Sequence, residues 1–100
     1  MSLIRTASLM RVVWVGKAAS DLARLHAFLA EVNPRAAKVV VRKLIAAPLG
    51  LSDAPRMGGR LVEFAPREIR RIFAGDYELR YEIVEETIYV LRVWHVREDR

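Results

Sequence analysis

Residues Tyr77 to Val96 read YELRYEIVEETIYVLRVWHV, and the fold turns on that stretch. Tyr77, Leu79, Tyr81 and Ile83 alternate with Glu78, Arg80 and Glu82, the period of a strand with one face in the core and one in water. Glu85-Glu86 is a link too short for anything but a hairpin, so Thr87 to Val96 must return antiparallel. Val90, Leu91 and Val93 put apolar groups on both faces of this last strand, which predicts a central position.

Upstream, Ile69 to Ala74 and Leu61 to Phe64 are strand candidates, closed by Gly75-Asp76 and by Ala65-Pro66. Residues 49–60 (LGLSDAPRMGGR) are rich in Gly, Pro, Ser and Asp and predict a loop. Before it, two helical stripes appear. Leu22, Leu25, Leu29 and Val32 mark a helix that starts near Ala18, with Asp21 in its first turn. Ala37, Val40, Val41, Leu44 and Ile45 mark a second, opened by Asn33 as N-cap and Pro34 as first helical residue, and ended by Pro48 and Gly50. So short a link makes the two an αα-hairpin whose apolar stripes need a sheet to cover. Arg11 to Val15 is β-branched and aromatic and predicts a short buried strand.

The expectation is an α+β fold: an N-terminal strand, then a helical hairpin packed on a twisted, mostly antiparallel sheet of about four strands. Residues 1–100 are expected to form one domain, with 11–97 as the folded unit and 1–9 as an arm.

Composition narrows the chemistry. The chain has 100 residues, 53% of them hydrophobic, and no cysteine, which excludes a disulfide framework, a thiol nucleophile and cysteine-ligated zinc. His26 and His95 lie far apart in sequence, so no metal or cofactor is expected. No apolar run approaches the ~18–20 residues that span a bilayer, and Val12 to Val15 is too short for an export signal's core of ~7–15 residues, so no membrane contact and a cytoplasmic location are expected. Seventeen Lys and Arg against twelve Asp and Glu leave a formal charge of +5, a balance that favours an acidic partner. The excess lies early. Residues 1–50 carry eight basic and two acidic groups, and residues 51–100 carry nine and ten.

Arginine on strands is the informative set: Arg67, Arg70, Arg71, Arg80, Arg92 and Arg97. Guanidinium groups fork onto phosphate or carboxylate, so such a cluster suits an anionic partner. The plainer alternative is cross-strand pairing with Glu68, Glu78 and Glu82. Alternation predicts Arg70 and Arg80 on one face and Arg71 on the other. Histidine is a side chain that can pass protons at neutral pH, and Arg97, two residues on, would share a face with His95, though one histidine at a strand end is more commonly a structural hydrogen-bonder. Trp14 and Trp94 read as core aromatics. No phosphate loop is present, since Gly58-Gly59-Arg60 lacks the spacing.

The order of motifs resembles the RelE/ParE superfamily of toxins from bacterial type II toxin–antitoxin systems. Val12-Val13-Trp14 with Ala18 and Asp21-Leu22 resemble its opening, as does Asn33-Pro34 with Ala36-Ala37. Gly59-Arg60, Arg67-Glu68-Ile69, the Tyr77 to Tyr81 strand and Ile88 to Val93 leading to His95 and Arg97 follow in order. The resemblance implies a toxin held inactive by an acidic antitoxin that folds on binding, in a hetero-oligomer. Contacts are then expected at Arg35, Arg42, Arg60, Arg67, Arg70, Arg71, Arg80, His95 and Arg97. Two activities compete. The ending from Leu91 to Arg97 resembles ParE relatives, which poison DNA gyrase and perform no catalysis. Glu78, where many relatives carry Arg, leans the same way. The alternative is a RelE-like, metal-independent endoribonuclease that cuts mRNA on the ribosome, with Arg71, Arg80, His95 and Arg97 as its catalytic set.

Overall fold

A computed structural model describes residues 10–98; the expected arm at 1–9 lies outside them. Strand β1 (Arg11–Trp14) leads into α1 (Gly16–Val32) and α2 (Pro34–Ala46), followed by a 3-10 turn at Ala47–Leu51. Strand β2 (Gly59–Arg60), a second 3-10 turn (Val62–Phe64), β3 (Ile69–Ala74), β4 (Tyr77–Val84) and β5 (Thr87–His95) complete the order. The sheet runs β1-β5-β4-β3-β2, with β1 parallel to β5 and every other pair antiparallel.

The helical hairpin forms as its sequence dictates. Asn33 caps α2 by accepting a hydrogen bond from the Ala36 N–H at 3.1 Å, and Pro34 fills the first helical position, where no N–H is needed. Helix α1 starts two residues earlier than its pattern suggests, at Gly16, so Asp21 falls in the second turn. Ala18 and Leu25 of α1 and Leu44 of α2 pack on Leu79, Val90 and Val93 of the sheet, with Trp14 against the same cluster. The other end of this face is covered by the 3-10 turn: Leu51 packs with Tyr81, Ile83 and Ile88. Tyr81 fixes the loop above it, its hydroxyl donating to the Pro55 carbonyl at 2.7 Å and accepting from the Gly58 N–H at 3.0 Å.

The sheet has five strands rather than about four, and its edge differs from expectation. Leu61 to Phe64 is not a strand: Leu61 N–H still bonds to the Ile69 carbonyl, and the chain then coils into a 3-10 turn. The pairing segment is instead Gly59–Arg60, inside the expected loop, opposite Arg71 and Arg70. Strand β5 is central, between β1 and β4. Its register on β4 slips between Arg80, opposite Arg92, and Tyr81, opposite Val90. Leu91 is the extra residue of this β-bulge, and it resets the alternation so that Val90 and Val93 both reach the core.

Candidate functional site

Pairing sets the arginines on faces that the sequence alone does not. Arg71 stands opposite Arg80, and Arg80 opposite Arg92, so one row of three guanidinium groups crosses β3, β4 and β5 on the face away from the helices. Arg70 pairs with Tyr81 and faces the other way, the reverse of the alternation expected. Direct register, not parity within one strand, decides which residues are neighbours.

Each of these cations has a partner. Glu78 is buried (1% exposed) in the next row, 3.1 Å from Arg80 Nε and 3.9 Å from Arg71 Nη1. Trp94, opposite Glu78, lies beneath two guanidinium groups, Arg80 at 4.7 Å and Arg92 at 5.0 Å from its ring centre. It is buried as expected, but under cations on the open face. Arg92 forks onto Asp21 of α1 at 2.8 and 3.2 Å, and Asp21 also accepts the Val93 N–H at 2.9 Å. Burial pushes the Asp21 carboxyl up, yet the bonds from Arg92 and Val93 and the charges of Arg92 and Arg24 outweigh it, and its pKa lies below the ordinary value. Arg67 forks onto Glu82 at 3.0 and 2.7 Å and lowers that carboxyl. Arg70 binds Glu68 at 2.9 Å and the Gly58 and Arg56 carbonyls. Glu68, Glu78 and Glu82, the partners weighed in the plainer alternative, do take these cations, but only Arg71–Glu78 and Arg67–Glu82 reach from one segment to another. Arg80–Glu78 and Arg70–Glu68 join residues two apart, and Arg92 turns to Asp21 of α1.

His95 and Arg97 lie elsewhere. His95 pairs with Tyr77 on the helix-facing side, its ring edge-on to that tyrosine at 5.2 Å, and its Nδ1 accepts the Arg97 N–H at 3.1 Å. Tyr77, His95 and exposed Arg97 line a groove of about 560 Å³ with Arg24, Leu25, Phe28, Leu29 and Glu98. The sheet therefore brings Arg71 and Arg80 together and separates them from His95. Arg35 and Arg42 are exposed on α2 and Arg60 on β2; among the described residues none of the three has an ion pair.

Sequence reading missed Asp21, Arg24, Arg92 and Glu98 as a connected group. A signal existed. Asp21 sits between Ala18 and Leu25 on the apolar stripe of α1, where a carboxylate stays charged only if a cation meets it.

Comparisons with known proteins agree on one family. The model of the ParE toxin of the type II toxin–antitoxin system parDE matches residues 12–100. Toxin RelE1 of Caulobacter vibrioides is 38% identical over 85 residues, covering 84% of this chain and 90% of that protein. Toxin RelE2 of the same organism is 27% identical over 85 residues, covering 85% and 93%. Among solved structures, the toxin–antitoxin complex RelBE2 of Mycobacterium tuberculosis holds a similar chain, with TM-score 0.60, 30% identity and coverage of 86% and 90%. The chromosomal ParDE system of P. aeruginosa shares the fold at TM-score 0.74 and 19% identity, over 88% and 97%. With nearly its whole length matched, this chain belongs to the ParE toxin family of type II toxin–antitoxin systems, within the RelE/ParE superfamily.

Proposed function

We propose that this toxin poisons DNA gyrase in the cytoplasm by binding it, and that an acidic cognate antitoxin neutralises it in a hetero-oligomer. The carrying observation is the neutralised sheet. Arg67, Arg70, Arg71, Arg80 and Arg92 are each met by a carboxylate of the chain itself. An RNA backbone is held by releasing counterions from its phosphates, and each committed guanidinium weakens that gain. A half-neutralised, aromatic-studded face suits a protein partner better. His95 stands off the arginine row, with its Nδ1 already accepting a backbone N–H. A proton carrier for phosphodiester cleavage must lie within hydrogen-bond reach of the reacting atoms.

The antitoxin reading draws on the basic first half of the chain and on exposed Arg35, Arg42 and Arg60. An acidic segment that folds on binding would meet these cations and cover apolar groups such as Phe28, 67% exposed. The names of the two Caulobacter relatives favour a second reading, RelE-like cleavage of mRNA on the ribosome by Arg71, Arg80, His95 and Arg97.

One experiment separates them. Purified toxin is added to DNA gyrase in a supercoiling assay and, in parallel, to translating ribosomes with a defined message. Loss of supercoiling with intact message supports the proposal. Cut message with unhindered supercoiling overturns it.

A further inference from the structure

We infer that Glu98 is a positioning residue that clasps the C-terminal segment to α1 and so fixes the posture of His95 and Arg97. The inference rests on the proposed reading that the toxin acts by binding its target, and adds that the segment from His95 to Glu98 is part of the binding surface.

The reason lies in the bare edge of β5. Strand β1 ends at Trp14, opposite Val90, so among the described residues the outer edge of β5 beyond that point has no neighbouring strand. Its N–H groups still need acceptors. Helix α1 packs along this edge, and its Asp21 takes the Val93 N–H directly. Two residues further on, the His95 N–H is taken by Glu98 Oε2 at 2.6 Å. The other oxygen of Glu98 is held by Arg24 Nη1, one turn along α1 from Asp21. Arg24 also stands 3.6 Å from Asp21. Two carboxylates thus complete the edge where a strand is missing, and one cation serves both.

Among the described residues, the other hydrogen bonds of the tail are made at its own end of the sheet. Val96 N–H bonds to the Asp76 carbonyl, Glu98 N–H to the His95 carbonyl, and Arg97 N–H to His95 Nδ1. Among the described residues, Glu98 alone of the tail after His95 forms an ion pair with a helix. Both members of that pair line the same groove as Tyr77, Phe28, His95 and Arg97. Exposed ion pairs contribute little to stability, and the side chains here are 45% and 28% exposed. The clasp therefore sets geometry, with little effect on folding.

The test compares Glu98→Ala, Arg24→Ala, the double variant and Glu98→Gln with the wild type. Readouts are the induction level for half-maximal growth arrest, backbone amide exchange at His95, and Tm. Each alanine variant should need about tenfold more toxin for arrest, the worth of one charge-assisted hydrogen bond. Glu98→Ala should speed His95 amide exchange by a similar factor, with Tm nearly unchanged, while Glu98→Gln keeps an acceptor and most of the protection. The two changes share the Arg24–Glu98 contact, so the double variant should lose clearly less than the sum of the two single losses. Additive losses, or Glu98→Ala with wild-type arrest and exchange, overturn the clasp. Wild-type arrest with unaffected gyrase overturns only the choice of target, since the clasp is scored without gyrase. If induction is harmless, the His95 exchange rate alone decides.

Discussion

Replacing Asp21 with alanine should destabilise this protein by about 2.5 kcal/mol, and the structure says where that comes from. Asp21 is 5% exposed and accepts three hydrogen bonds: two from Arg92 and one from the Val93 N–H. Alanine leaves the Val93 N–H buried without an acceptor, at a cost of about 1–3 kcal/mol. The Arg92 side chain is 34% exposed and can turn to water, so its lost pair adds only about 1 kcal/mol. Alanine recovers roughly 0.5 kcal/mol through better helix propensity. Against a total stability of about 5–15 kcal/mol, the net loss would lower Tm on the order of 10–20 °C. Urea denaturation with an unchanged m-value should report the loss as a lower midpoint. Asp21→Asn keeps one acceptor and should lose about half as much. An Asp21→Ala variant within roughly 0.5 kcal/mol of wild type, the range of ordinary surface changes, would refute the edge-capping argument.

Acid should act through the same residue. Asp21 titrates below its ordinary 3.8, and Glu68 and Glu82 below 4.5, so their stabilisation is full above those values and lost as pH falls through the lowered ones. A pH-stability curve should fall below about 4.5, and Asp21→Asn should flatten its lower limb. Gly58→Ala would bring a Cβ to 2.5 Å from the Tyr81 hydroxyl and 2.6 Å from the Arg71 carbonyl, at a cost of about 1–3 kcal/mol by thermal melting. Antitoxin binding should weaken steeply with salt and lose on-rate when Arg35 and Arg42 become Ala, measured by stopped-flow at two ionic strengths. A salt-independent rate would remove electrostatics from that interface.

Much of the architecture was written locally. The Tyr77 to Val96 hairpin shows its period over neighbouring residues, and Asn33-Pro34 marks the helix junction with a cap and a fixed φ. Ordered motifs carried the family as well. The strand edge was less legible, because Gly59–Arg60 pairs through contacts with residues ten and more positions away, which no local propensity encodes.

The disposition of charge belonged to tertiary structure alone. From its sequence this chain is a basic, cysteine-free α+β unit with arginines on its strands. Which arginines share a face depends on register and on the extra residue at Leu91, and a slip of one position reverses a side chain's face. Whether those cations are available depends on carboxylates brought from afar: Asp21 meets Arg92 across 71 positions, and Arg24 meets Glu98 across 74. Such meetings are decided by packing a helix along an incomplete strand edge, where buried donors and charges must find partners.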